Sequence, residues 1–290
     1  VKAKDGQPFA PGDNEPPGWA RPLLYVGSLA FSAGARVNGW AYEHGLRAQR
    51  QLKVPVISVG NLTVGGSGKT PFTMLIVQEL LQMGHRPAVI SRGYGRTEST
   101  SGPLVVSRGG GPEVSVARSG DEPALIALRT EAQVVVDAQR ARGAQHAIDD
   151  LGATVIVLDD GFQHRALARD LDIVLLDARR PLGSGYPLPR GPLREPAQAL
   201  TRAQLLVINH GATVAEVPNL PASAQGLPRV DVRTGPTGVG PLRGPHEAPN
   251  TLAAVKVALL SGIARPKRFE DTVRALGAEV VHHWVLPDHA

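Results

Sequence analysis

The chain has 290 residues, 42% hydrophobic and 20% charged, which is enough apolar material for a packed core and excludes global disorder. It contains no cysteine, so disulfides, thiolate metal sites and cysteine nucleophiles are excluded, and a reducing compartment fits. The net charge of +5 suits an anionic partner or simply solubility, whereas an aromatic content of 4% and scattered basic residues argue against nucleic acid as that partner.

Residues 1–18 are polar and proline-rich and read as a disordered leader without a secretory signal pattern. The apolar stretch 22–35 (PLLYVGSLAFSAGA) follows, flanked by Arg21 and Arg36 and accompanied by Trp19, Tyr25 and Trp40. It is too short to span a bilayer. Its pattern fits equally a helix packed on the core and a helix lying in a membrane interface. From residue 54 the pattern is strand, glycine-rich turn, helix: VPVISVG at 54–60, then PFTMLIVQELLQM at 71–83, with Pro71 near the helix start and Gly84 as its stop. A second strand covers 87–91, and a hairpin is expected around 104–116. A helix at 121–129 opens with two acids, as its dipole favours. Short apolar runs at 134–136, 154–158, 173–176 and 205–208, separated by helix-length segments, predict a mostly parallel sheet wrapped by helices. A Gly-, Pro- and Ala-rich stretch at 209–250 marks a junction. Strand 255–260, helix 266–276 and strand 279–286 then form a further βαβ unit. The reading divides the chain into a leader (1–18), an interface-helix region (19–53), a nucleotide-binding domain (54–215) and a smaller second α/β domain (216–290).

The sharpest chemical signal is Thr63-Val64-Gly65-Gly66-Ser67-Gly68-Lys69-Thr70 between a strand and a helix. It follows the phosphate-loop pattern, with Thr63 in place of the first glycine. The glycines let backbone N–H groups converge on phosphate oxygens, and the helix N-terminus adds positive potential. Lys69 would reach the β/γ-phosphates of a nucleotide, and the Thr70 hydroxyl would ligate Mg²⁺. Asp159 and Asp160 end an apolar strand, where such proteins deliver an acid to the metal; alternation along the strand turns one of them toward it. Asp121 and Glu122 sit at a helix start, which is structurally favourable by itself. They also fit a general base and a metal-facing acid. Arg92 and Arg96 bracket Gly93-Tyr94-Gly95 at a strand's carboxyl end, where phosphate groups bind in open α/β sheets, although a plain surface loop reads the same way. His282 and His283 are adjacent on a strand and point to opposite faces, which argues against zinc.

Residues 54–96 resemble the tetraacyldisaccharide 4′-kinase (lipid A 4′-kinase) family of Gram-negative bacteria. SGDEP at 119–123, LDDGFQHR at 158–165, PRGPLREP at 189–196, LLSG at 259–262 and LPDH at 286–289 are similar to that family in the same order. The resemblance implies a two-domain phosphate-loop kinase fold with its site in the cleft. It implies transfer of the ATP γ-phosphoryl group to the 4′-hydroxyl of a tetraacyl glucosamine disaccharide 1-phosphate, giving lipid IV-A, with ATP and Mg²⁺ as cofactors. It makes Asp121 the general base with His289 as its partner, and Glu122, Asp159 and Asp160 metal or nearby residues. It places the enzyme peripherally on the cytoplasmic face of the inner membrane through residues 22–35, with no protein partner. Family members continue beyond the Pro-Asp-His motif, so the second domain is expected to be C-terminally truncated, and Arg190 stands where a small residue is usual. On the residues alone, two rivals remain: a GTP-dependent switch or metal chaperone, for which an Asn-Lys-x-Asp motif is missing (Ile208-Asn209-His210 ends the nearest strand), and an inactive nucleotide-binding scaffold.

Overall fold

The computed structural model describes residues 18–98, 101–211, 220–236, 252–263 and 266–286. Among the described residues, ten strands and six α-helices follow one another in the order expected of a doubly wound protein. They are α1 (Arg21–Glu43), β1 (Val56–Asn61), α2 (Lys69–Gln82), β2 (Pro87–Ser91), β3 (Leu104–Arg108), α3 (Val116–Ser119), α4 (Asp121–Arg129), β4 (Gln133–Val136), α5 (Arg140–Asp149), β5 (Val155–Asp159), β6 (Leu171–Asp177), β7 (Leu205–Asn209), β8 (Arg229–Val232), β9 (Lys256–Ser261), α6 (Pro266–Ala275) and β10 (Glu279–Val285).

Eight strands form one sheet in the order β3-β4-β2-β5-β1-β6-β7-β8. All neighbours are parallel except β3 and β4. The chain leaves β1, crosses through α2 and returns at β2, and β5 later fills the gap between them. That crossover sets the carboxyl ends of β1 and β5 side by side, with Val59 level with Asp159. Ligands gather at such switch points.

Both faces of the sheet are covered. Val89, Val134, Val136 and Val157 pack toward Val77 of α2 and Ile126 of α4. Their neighbours Ala88, Ile90, Val135, Ile156 and Leu158 pack toward Ala144 and Ala147 of α5. This two-sided burial explains the unbroken apolar runs in the sequence. A third cluster gathers Leu62, Phe162, Val174, Leu176, Leu193 and Leu200 beneath the loops at the carboxyl edge. β9, α6 and β10 form a separate two-stranded parallel unit with a small core of Leu259, Val273 and Ala278.

Two expectations change. The segment 104–116 is not a hairpin: β3 pairs with β4 instead, and the chain turns away through Gly109 and Gly111 at φ of +107° and +99°. β8 was not foreseen, and it carries the large sheet past residue 215, where the sequence reading set its boundary. Its four residues, RVDV, are largely exposed on the sheet edge, so it lacks the apolar run that betrays a buried strand. The apolar segment 22–35, which the sequence left open between a core-packed and an interface helix, lies in the first two-thirds of the longer helix α1, whose polarity is inverted. α1 turns Ser28, Ser32 and Gly39 toward the body and leaves Leu23, Val26, Leu29, Val37 and Trp40 more than half exposed. No helix among the described residues is long and apolar enough to cross a membrane.

Phe162 is the largest fully buried side chain among the described residues, and a Cβ on Gly60 would stand 2.6 Å from its Cβ. Phe162→Ala is expected to cost about 3–5 kcal/mol in urea denaturation, because the cavity would open directly beneath the end of β1.

Candidate active site

The loop between β1 and α2 is bent by Gly65 and Gly68, at φ of +101° and +87°. Gly68 caps α2 in the left-handed region, and a Cβ there would stand 2.3 Å from Asn209 Nδ2. Glycine is therefore required twice over, by conformation and by space. Gly66 faces open space. Two buried asparagines hold the turn from below. Asn61 Nδ2 donates to Ser67 Oγ at 2.8 Å, and Asn209 Nδ2, at the end of β7, donates to the Ser67 carbonyl at 3.0 Å. The other limb is stapled to the strap 186–195: the Val64 N–H donates to the Pro192 carbonyl at 2.8 Å and the Arg194 N–H to the Leu62 carbonyl at 2.7 Å. Thr63 bridges to Leu193 between these bonds. The loop and the N-terminus of α2 are thus held in a fixed frame, the arrangement that receives phosphate.

Four of the acids and bases singled out in the sequence converge on this loop. Lys69 Nζ lies 3.6 Å from Asp160 Oδ1. Thr70 Oγ1 lies 3.5 Å from Glu122 Oε1, and Thr73 Oγ1 donates to Asp159 Oδ1 at 3.0 Å. Asp159 is buried. Desolvation, and then the charges of Glu122 and Asp160, push its carboxyl up to about 7. Burial also opposes ionisation of Asp160, but Lys69 and Arg194 outweigh it and hold that carboxyl below its ordinary value. Asp160 takes the left-handed conformation, φ +52°, which Asp tolerates better than most residues, and this turns it toward the cations. The two adjacent acids therefore differ in kind: one is ionised and paired, the other crowded by its neighbours.

A divalent cation fits this donor set. The ligands are hard oxygens, Asp160 Oδ1 is buried without a hydrogen-bond partner, and the repulsion that raises Asp159 is what a cation would relieve. No group of three acids or histidines among the described residues forms a ready-made metal cage. That suits Mg²⁺, which is held by one or two protein oxygens together with phosphates and water.

Asp121 is exposed at the first position of α4, beside Glu122. The loop carrying Arg92 and Arg96 packs against the turn before it: a Cβ on Gly120 would stand 2.6 Å from the Tyr94 carbonyl. Arg92 is exposed and Arg96 half-buried. His289 lies outside the described residues. Sequence reasoning missed Asn61, Asn209, Arg140 and Arg194. Arg194 Nη1 donates to Asp160 Oδ2 at 2.6 Å, and Arg140 Nη1 donates to the Asp160 carbonyl at 2.8 Å. His164, behind this pair, is pushed down to about 4 by burial and by Arg140, Arg169 and Arg92, so it is neutral at pH 7. Arg194 and His164 lie in the runs LREP and FQHR, which the resemblance had already marked without giving either a role.

A phosphate-receiving loop, a lysine and hydroxyl at the following helix, and an acidic strand end beside them define the class of phosphate-loop nucleotide-binding proteins. Comparison with known proteins narrows it: residues 20–290 match the family described as tetraacyldisaccharide-1-P 4′-kinase, and the chain belongs to that family. It is 45% identical over 278 residues to the tetraacyldisaccharide 4′-kinase of Anaeromyxobacter dehalogenans (strain 2CP-C), covering 92% of this chain and 72% of that protein. It is 38% identical over 285 residues to the enzyme of the same name from Syntrophus aciditrophicus, covering 92% and 75%. The crystal structure of LpxK from Aquifex aeolicus in complex with ATP shares the fold, with a TM-score of 0.77 and 33% identity over 93% of this chain and 82% of that one.

The raised carboxyl of Asp159 has a measurable consequence. Its folded-state value of about 7 exceeds the ordinary 3.8, so its stabilising contribution is complete below the unfolded value and is lost as pH rises through the folded one. In ligand-free, metal-free protein, Asp159→Asn is expected to gain stability over wild type progressively from pH 5 to 7 and to level off above pH 8, by on the order of 3 kcal/mol. Urea denaturation at pH 5 and pH 8 checks this.

Proposed function

We propose that this site transfers the γ-phosphoryl group of ATP to the 4′-hydroxyl of a tetraacyl glucosamine disaccharide 1-phosphate, giving lipid IV-A. The observation that carries the reading is the meeting of Lys69, Thr70, Asp160, Asp159 and Glu122 at one sheet edge in a chain that belongs to the 4′-kinase family.

The loop 63–70 cradles the ATP phosphates through its backbone, and Lys69 neutralises the β and γ oxygens. Thr70, Glu122, Asp159 and Asp160 are the residues that would hold Mg²⁺, which when bound offsets charge on the transferring group. Asp160, itself held by Arg194, keeps Lys69 oriented. Asp121, exposed at the edge beside this cluster, accepts the proton of the 4′-hydroxyl as that oxygen attacks the γ-phosphorus; the bond to the bridging oxygen breaks and ADP leaves. His289 is assigned as the partner of Asp121. Arg92 and Arg96 bind phosphate groups of the acceptor or nucleotide.

In a test with labelled Mg-ATP and the dephosphorylated acceptor in detergent, label is expected in the lipid. Lys69→Ala should reduce this by about a thousandfold or more. Asp121→Asn should lower kcat by roughly 10²–10⁴ while ATP affinity changes little. Full activity of Asp121→Asn would remove it as the base, and no lipid labelling by the wild type would overturn the reading.

The same reading places the enzyme peripherally on a lipid surface, at the cytoplasmic face of the inner membrane, through α1. The inverted polarity of α1 supports this, since a contiguous apolar face of that size is costly in water. Leu23→Glu/Leu29→Glu alters only exposed positions and is expected to lower vesicle flotation severalfold without changing the melting temperature; equal flotation would contradict the placement.

A further inference from the structure

α1 and the strap 186–195 meet at a joint made of few but specific contacts. Ser28 Oγ lies 2.8 Å from the Pro187 carbonyl and accepts the Arg190 N–H at 3.1 Å. A Cβ on Gly27 would stand 3.1 Å from the Pro189 ring. The backbone of Arg190 is therefore fixed against the helix. Its side chain is fixed as well. The guanidinium carbon sits 3.6 Å from the centroid of the Tyr186 ring and 5.1 Å from that of Tyr25 on α1.

This seat is unusual in what it omits. Among the described residues the Arg190 guanidinium makes no hydrogen bond or ion pair, and its partners there are the rings of Tyr186 and Tyr25. Aromatic seating orients the plane of an arginine and leaves its in-plane N–H edge available, the edge that receives two phosphate oxygens at once. The surroundings select the kind of phosphate. Tyr25 stands among the exposed Leu23, Val26 and Leu29, and α1 carries no acid before Glu43. A phosphate reaching Arg190 along this helix would come attached to something apolar.

We propose that Arg190, held by Tyr186 and Tyr25 where α1 meets the strap, binds the phosphate of a lipid headgroup lying against α1. The inference rests on the lipid-surface reading of α1. It adds the chemical group recognised and the residue that recognises it. The phosphate could belong to a bilayer phospholipid or to the acceptor lipid itself through its 1-phosphate, and the two sources are separable.

The test uses the full chain and the variants Arg190→Gln, Tyr186→Leu and Tyr186→Phe. In one arm, flotation is compared on vesicles of digalactosyldiacylglycerol, which carries no phosphate, with and without phosphatidylglycerol. In the other, KM is compared for acceptors with and without the 1-phosphate in neutral detergent. Arg190→Gln is expected to lose roughly three- to tenfold of the preference for the phosphate-bearing lipid in one arm, raising KM more than it lowers kcat if that arm is the kinetic one. Tyr186→Leu should reproduce part of the loss and Tyr186→Phe should not, since only the ring is needed. A change confined to flotation assigns the bilayer headgroup, and a change confined to KM assigns the 1-phosphate. Wild-type preferences retained by Arg190→Gln in both arms would overturn the proposal. Failure of the wild type to float on either vesicle would instead overturn the lipid-surface reading, with the kinetic arm still deciding the role of Arg190.

Discussion

The arrangement of the site depends on one carboxylate. Asp160 faces Lys69 from the phosphate loop at 3.6 Å and Arg194 from the strap at 2.6 Å, while Arg140 of α5 holds its carbonyl. Three segments far apart in the chain are thus registered on a single residue at the end of β5. The energetic logic is asymmetric. Removing the carboxylate would leave two cations facing each other in a half-buried site, and that costs more than the pairs contribute. Asp159, one residue earlier, could not serve, because its carboxyl is turned inward to Thr73 and crowded by Glu122 and Asp160. The adjacent acids divide the work by environment: one organises the cations present, the other suits a cation to be bound.

The strap that carries Arg194 also joins the site to α1. Arg165 makes ion pairs with Glu43 at the end of α1 and with Glu195 in the strap, at 3.1 and 3.3 Å, and a Cβ on Gly39 would stand 2.8 Å from its guanidinium. Small residues on the inner face of α1 therefore have a packing reason: they let the helix lie close enough for these contacts to form. Its large residues face outward, the reverse of a helix that buries an apolar stripe against a core.

What was legible in the sequence and what was not follow from distance along the chain. The loop 63–70 could be read because glycine conformation, lysine and helix start are all local. The buried strands showed themselves as apolar runs because both sheet faces are covered. β8 is an edge strand with exposed side chains, and its residues carry no such run. Asn209, Arg140 and Arg194 were invisible for a different reason. Each acts on a segment at least 20 residues away, and only the strand order brings them to the loop. The polarity of α1 was legible as composition, but which face is exposed required the strap against it.

The most direct test of the dependence on Asp160 is a double-mutant cycle in single-turnover phosphoryl transfer, with Asp160→Asn, Arg194→Gln and the double variant. If Asp160 registers Arg194, the double variant should be slowed no more than Asp160→Asn alone, within about twofold. Losses that simply multiply would mean that the two residues act independently, and the central role given to Asp160 would be wrong.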